Sequence, residues 1–211
     1  MHSKLLGFYN YTVILTYIGV MAGFLGITVT IDGDIWMGLV CLMMAGICDM
    51  FDGAVASTKK RNADEKCFGI QIDSLSDLLC FGVLPAVILC CANEGSEFSY
   101  AVSAFYVLGA LIRLAYFNVD EQNRQQVSDA ARKYYYGLPV TTIALILPLL
   151  FMICDIAGKK RGLVGTAALA GTAVLFLLPF RIKKPEITGK IVLGICGILE
   201  FAFLVAGLGD V

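Results

Sequence analysis

The sequence predicts an all-α, polytopic integral membrane helical bundle, and three observations carry that expectation. Of 211 residues, 58% are hydrophobic and only 16% charged, against roughly 45–50% and about 25% in a soluble domain. The apolar residues gather into stretches of about 20, the helical length that crosses a hydrocarbon core of roughly 30 Å. Most of the charges fall between those stretches. With Lys+Arg 16 against Asp+Glu 17, no basic surplus marks a nucleic-acid partner, and none is expected.

Apolar runs bounded by polar residues, Gly or Pro place seven spans, at 11–31, 35–56, 69–92, 100–118, 138–156, 163–180 and 187–208. The first is of full span length and lacks the small-residue cleavage pattern of a leader peptide. The second and third are joined by a basic connection at 57–68, and the fourth ends in the polar stretch 119–137. The last three carry Pro139, Pro148 and Pro179 around a short turn at 158–162, so a re-entrant or broken pair stays open beside three full crossings. No repeat or low-complexity tract interrupts the chain. Residues 1–211 therefore read as a single membrane domain, with a motif-bearing hairpin at 45–80.

Orientation follows from the cations. A cytoplasmic N-terminus puts Lys4, Lys59, Lys60, Arg61, Lys66, Arg124, Arg132, Lys133, Arg181, Lys183, Lys184 and Lys190 inside, and only Lys159, Lys160 and Arg161 outside. The positive-inside rule favours that arrangement. It predicts a plasma or inner membrane protein whose 57–68 and 119–137 connections share the cytoplasmic side. The run Tyr134–Tyr136 reads as part of an interfacial aromatic belt.

Eight cysteines and one histidine, His2, form no CxxC pair or zinc spacing. Cys41, Cys48, Cys80, Cys90, Cys91, Cys154 and Cys196 sit in or at the ends of apolar runs and read as packing residues. Cys67 alone lies in a polar segment.

Ionisable groups within a bilayer are costly and mark function by default. Asp49 and Asp52, three apart near the cytoplasmic end of the second span, share a face; Asp73 and Asp77, four apart in the first turns of the third, do likewise. A hairpin of these spans can aim all four carboxylates at one another, and divalent cations would offset their repulsion. Oxygen ligands without His or Cys suit Mg²⁺ or Mn²⁺, and four carboxylates suffice for two ions about 4 Å apart. Ordinary helix-end carboxylates explain one such pair but not two on neighbouring helices. Gly53 and Ala56 continue the Asp52 face, where small side chains admit either a flat ligand or a neighbouring helix.

These strings, Asp49-Met-Phe-Asp52-Gly53-Ala-Val-Ala56 and Gly69-Ile-Gln-Ile-Asp73-Ser-Leu-Ser-Asp77, resemble the signature of the CDP-alcohol phosphotransferase family, D-x2-D-G-x2-A-R followed by G-x3-D-x3-D. The stretch 68–86, with Arg113-Leu-Ala-Tyr-Phe-Asn-Val119 and Tyr136-Gly-Leu-Pro-Val140, is similar to the phosphatidylserine synthases within it. The resemblance covers roughly residues 10–145. It implies a six-helix core, a homodimer, and transfer of a phosphatidyl group from CDP-diacylglycerol to L-serine with CMP leaving. It also implies Asp49, Asp52 and Asp73 as metal ligands, and Asp77 as general base and second-metal ligand. Gly53, Ala56 and Gly69 would make room for the CDP half.

Two departures stand out. Ser57 occupies the position of the family's Arg, and the spacer from Ala56 to Gly69 is about three residues longer than usual. Lys59, Lys60 or Arg61 in that longer segment are candidates for the missing positive charge on the diphosphate, against the reading of a solvated topogenic loop. Arg113, a basic residue within the fourth span, is expected to hold the serine carboxylate with Asn118 nearby, or else to snorkel. Glycerol 3-phosphate or inositol phosphate as acceptor would call for a denser basic pocket. A divalent-cation transporter is the reading from another class, and it would want acidic residues in the central part of the other spans, where none is expected.

Overall fold

The computed structural model describes residues 7–93, 95–127, 134–183 and 187–207, without the side chains of 124–127, 134–136, 182–183, 187–193 and 207. His2, Lys4, Arg132, Lys133 and Lys184 lie outside the described residues, as do the side chains of Arg124, Lys183, Lys190 and Tyr134–Tyr136.

Among the described residues the chain forms seven helices. A 3₁₀ turn, Tyr11–Val13, leads into α1 (Ile14–Ile31), with the Asn10 side chain accepting from the Thr12 amide. Gly33, at φ +102°, turns the chain so that Asp34 caps α2 (Ile35–Ser57) by accepting from the Met37 amide at 2.9 Å. The third helix, α3 (Ala63–Ala92), begins at a reciprocal capping box between Asn62 and Glu65. It is followed by α4 (Glu97–Val127), α5 (Ile143–Ile156) after a 3₁₀ turn at Val140–Thr142, α6 (Arg161–Leu177) and α7 (Ile187–Gly207).

The all-α membrane class expected from hydropathy is what the chain adopts. Tyr11–Ile31, Ile35–Ser57, Ala63–Ala92 and Glu97–Asn123 are long and apolar enough to cross a membrane, while Val140–Ile156, Arg161–Leu177 and Gly194–Ala206 are apolar but shorter. Several boundaries differ from the hydropathy reading. α3 starts at Ala63 rather than at 69, because its first turns are polar and held by the capping box rather than by lipid. Asp73 and Asp77 are therefore not in the first turns but ten and fourteen residues into the helix. α4 likewise runs on to Val127, past the apolar stretch. α6 ends at Leu177, and Pro179 lies beyond it. Residues Tyr134–Tyr136 pair antiparallel with Arg181–Lys183 in a short ribbon, β1 with β2. An acidic residue does lie within the last span: Glu200, half-buried, whose Oε1 is buried without a hydrogen-bond partner among the described residues.

Packing follows from small residues. Gly19, Gly23 and Gly26 line one buried face of α1. A Cβ at Gly26 would meet Cys41 Cβ at 2.8 Å, and one at Gly19 would meet Cys48 Cβ at 3.4 Å. The cysteines act there as the small partners of a close helix contact, and no disulfide forms among the described residues. Phe81, Leu84, Ile88, Tyr106, Leu147 and Phe151 fill the core where α3, α4 and α5 meet.

Directly after Asp77, α3 widens into a π-helical segment, Leu78–Val83, before Pro85. Pro85 has no N–H for the Phe81 carbonyl one turn back. The buried Tyr106 hydroxyl of α4 donates to that oxygen at 2.6 Å, so the proline break is satisfied from the neighbouring helix.

Candidate active site

The end of α2 and the middle of α3 run antiparallel and bring the four aspartates together. Asp49 is within hydrogen-bond reach of Asp77, and Asp52 of Asp73, so each pair takes one carboxyl from each helix. Carboxylate oxygens of Asp49, Asp52 and Asp73 all lie within 4.8 Å of one another. All four side chains are half-buried. A carboxyl pair in such contact holds a proton or a cation between its oxygens. The converging donors are all carboxylate oxygens, the hard anionic ligands that Mg²⁺ and Mn²⁺ prefer. The donor set thus fits a hard divalent cation.

α1 contributes a residue that sequence spacing does not reveal. Thr16, buried on α1, donates its hydroxyl to Asp52 Oδ2 at 3.1 Å, orienting that carboxylate from 36 positions away in the chain. Its only sequence signal is a hydroxyl within an apolar run.

One turn toward the α2–α3 connection, the walls lose their side chains. Gly53 lies four residues beyond Asp49 on α2, and a Cβ there would meet nothing within 4 Å. Ala56 is half-buried beside it. Gly69 lies four residues before Asp73 on α3, and a Cβ there would meet Arg61 Nη1 at 2.9 Å. The three basic candidates of the connection therefore separate. Lys59 is paired with Glu65 at 2.8 Å, Lys60 is exposed, and Arg61 is folded back onto Gly69. Ser57, in the position of the missing Arg, turns its hydroxyl back onto the Ala54 carbonyl at 2.6 Å.

Glu65 also accepts from Asn10 Nδ2 at 3.2 Å, and Tyr11 meets Thr58 hydroxyl to hydroxyl at 3.2 Å. The segment before α1 is thereby tied to the α2–α3 connection, and the Phe8 and Phe68 rings add a contact with centroids 5.2 Å apart.

On α4, Asn118 Oδ1 accepts from the Ser74 hydroxyl at 2.7 Å, which puts Asn118 beside the Asp73 turn. That tie and the Tyr106–Phe81 bond bracket Arg113 at the level of Asp77. Arg113 is 7% exposed, so it is buried rather than snorkelling. Its Nε donates to the Leu138 carbonyl, joining the 113–119 string to the 136–140 string. It also lines a cavity of about 240 Å³ with Ile112, Tyr116 and residues Phe176 to Pro179, where α6 ends and the chain leaves it.

Comparison with known proteins accords with this geometry. A family model described as CDP-alcohol phosphatidyltransferase matches residues 9–178. The CDP-diacylglycerol–serine O-phosphatidyltransferase of Saccharomyces cerevisiae is 38% identical over 125 residues, which is 58% of this chain and 42% of the yeast protein. An archaetidylserine synthase of Methanothermobacter thermautotrophicus is 29% identical over 190 residues, 89% of this chain and 74% of that one. A Helicobacter pylori CDP-diacylglycerol–serine O-phosphatidyltransferase is 29% identical over 139 residues, covering 65% and 53%. The match thus spans less than half the length of the yeast relative.

Proposed function

The chain belongs to the CDP-alcohol phosphatidyltransferase family, and from that premise we propose that it transfers the phosphatidyl group of CDP-diacylglycerol to the hydroxyl of L-serine, giving phosphatidylserine and CMP. The observation that carries this reading is the double cross-helix pairing of Asp49 with Asp77 and Asp52 with Asp73 beneath the side-chain-free walls at Gly53 and Gly69. Serine as acceptor is supported by the names of the relatives and by the strings 113–119 and 136–140, which Arg113 ties together.

Asp49, Asp52, Asp73 and Asp77 would hold two Mg²⁺ or Mn²⁺ ions, which when bound neutralise charge on the diphosphate and on the departing CMP. Thr16 keeps Asp52 aimed into the site. Gly53, Ala56 and Gly69 leave room for the cytidine half. Asp77 accepts the serine hydroxyl proton as the oxygen attacks the lipid-side phosphorus and the bond to CMP breaks. Arg113, at the level of Asp77, holds the serine carboxylate, with Asn118 on the same helix. With Arg113 as its cation, the site suits an amino-acid acceptor better than glycerol 3-phosphate or inositol phosphate, whose extra phosphate would want more cations.

The site opens to the cytoplasm by the charge asymmetry, in a single membrane domain whose 45–80 hairpin carries the chemistry and which works as a homodimer. Against a transport pathway, the carboxylate triad sits at one end of one hairpin. The test is CMP release by the protein in detergent with CDP-diacylglycerol and Mn²⁺ or Mg²⁺, across serine, glycerol 3-phosphate and inositol phosphate. Release that depends on both serine and metal is expected. Release with a phosphorylated acceptor alone would reassign the substrate, and no release with any acceptor would leave the transport reading.

A further inference from the structure

The signature resemblance leaves one gap, the positive charge that Ser57 does not supply, and the structure offers a replacement from an unexpected place. We infer that Arg61, in the lengthened α2–α3 connection, takes over the diphosphate contact of the missing signature arginine. The inference rests on the functional reading above and names a residue that reading does not require.

Three observations carry it. First, Gly69, Asp73 and Asp77 are spaced i, i+4, i+8 on α3 and so share a face. The Arg61 guanidinium lies against the first of them, in the space a Cβ would take, roughly 6 Å along the helix axis from the Asp73 position at 1.5 Å per residue. A side chain at 69 would displace the guanidinium from that face. Second, the connection is held in place. The Asn62–Glu65 capping box, the Lys59–Glu65 ion pair, the Asn10–Glu65 bond and the Tyr11–Thr58 contact fix residues on both sides of Arg61. A pinned backbone with only the side-chain end left to adjust suits a guanidinium that must fork onto phosphate oxygens. Third, the neighbouring cations are otherwise placed. Lys59 is engaged by Glu65, while Lys60 and Lys66 are exposed. The three extra residues of the spacer give the chain the slack to return Arg61 to Gly69, so the lost arginine and the longer loop become one compensated change.

The test measures equilibrium binding of CDP, a soluble probe that carries the diphosphate, to the full-length protein in detergent with Mn²⁺. Arg61→Ala should weaken CDP binding by roughly 10- to 100-fold, the span of a lost charge-assisted contact. Arg61→Lys should retain part of the affinity. Adding Ser57→Arg to Arg61→Ala should restore it, which a merely structural role for Arg61 would not allow. Thermal unfolding of each variant guards against loss of fold. If the unaltered protein binds CDP and Arg61→Ala binds it equally, the inference fails and the functional reading stands. It fails as well if Lys60→Ala or Lys66→Ala costs more than Arg61→Ala, or if the double variant stays as weak as the single one. If the unaltered protein binds no CDP, the functional reading falls and takes this inference with it.

Discussion

Asp49 and Asp77 touch across the hairpin, yet the proposed transfer asks different things of them. Asp77→Asn keeps the shape and can still accept a hydrogen bond, but its carboxamide cannot take a proton. Turnover should fall by roughly 10²–10⁴ while CDP and metal binding persist, if general-base catalysis contributes its usual share. Asp49→Asn should instead weaken metal binding, so that excess Mn²⁺ restores part of its turnover. Turnover against Mn²⁺ concentration, measured for both variants beside CDP titration, separates the two. Equal rescue of both would make Asp77 a ligand and move the base to another group. At this scale the sequence was most readable where helical spacing alone decides the outcome. Asp49 with Asp52 and Asp73 with Asp77 share faces because of their step sizes, whatever the rest of the chain does. Thr16 was not readable, since its bond to Asp52 depends on where α1 packs. The choice among Lys59, Lys60 and Arg61 was open for the same reason, because only the fold shows that Glu65 engages Lys59.

Among the elements, α3 combines two kinds of control, and hydropathy sees one of them. Its apolar part is plain in the sequence, but its start at Ala63 is set by the polar exchange between Asn62 and Glu65, which a search for apolar runs passes over. The π segment, Leu78–Val83, is equally hidden in a continuous apolar run. It matters because it begins one residue past Asp77 and ends two before Pro85, so the geometry of the proposed base is coupled to how the proline break is satisfied. Tyr106 satisfies it, fully buried and bonded to the Phe81 carbonyl. Tyr106→Phe removes only that hydroxyl and leaves a buried carbonyl without its donor, a loss of about 1–3 kcal/mol. Thermal unfolding in detergent should show the destabilisation. Hydrogen exchange should rise at residues 82–86 more than at the Asn62 cap. An unchanged melting temperature and unchanged exchange would mean that the break is satisfied without Tyr106.

Across the whole molecule, the strings that resembled one another's neighbours in a known family turn out to be spatial neighbours as well. Arg113 of α4 reaches the Leu138 carbonyl, and Gly137, at φ +70°, lets the chain pass close to the end of α6, where its amide donates to the Phe180 carbonyl at 2.7 Å. The β1–β2 ribbon continues that closure. Three-residue strands are too short for alternation to announce them, so the pairing of the Tyr run is not legible in the sequence. The same connections bear on sidedness. The α2–α3 connection, the C-terminal end of α4 and the ribbon lie at the membrane ends where the cations gather, whereas Lys159, Lys160 and Arg161 mark the opposite end. There Arg161 pairs with Asp155 and stacks over Trp36, its guanidinium carbon 4.6 Å from the ring centroid. The arrangement should therefore be polar across the bilayer. Cys67, exposed near the start of α3, is a native reporter of the site's side. A membrane-impermeant maleimide should leave it unlabelled in intact cells and label it once the membrane is opened. A Lys159→Cys variant should react without opening, and Cys67→Ser should remove the first signal. Labelling of Cys67 in intact cells would invert the topology and place the four aspartates on the outer face, where a cytoplasmic pool of serine could not reach them.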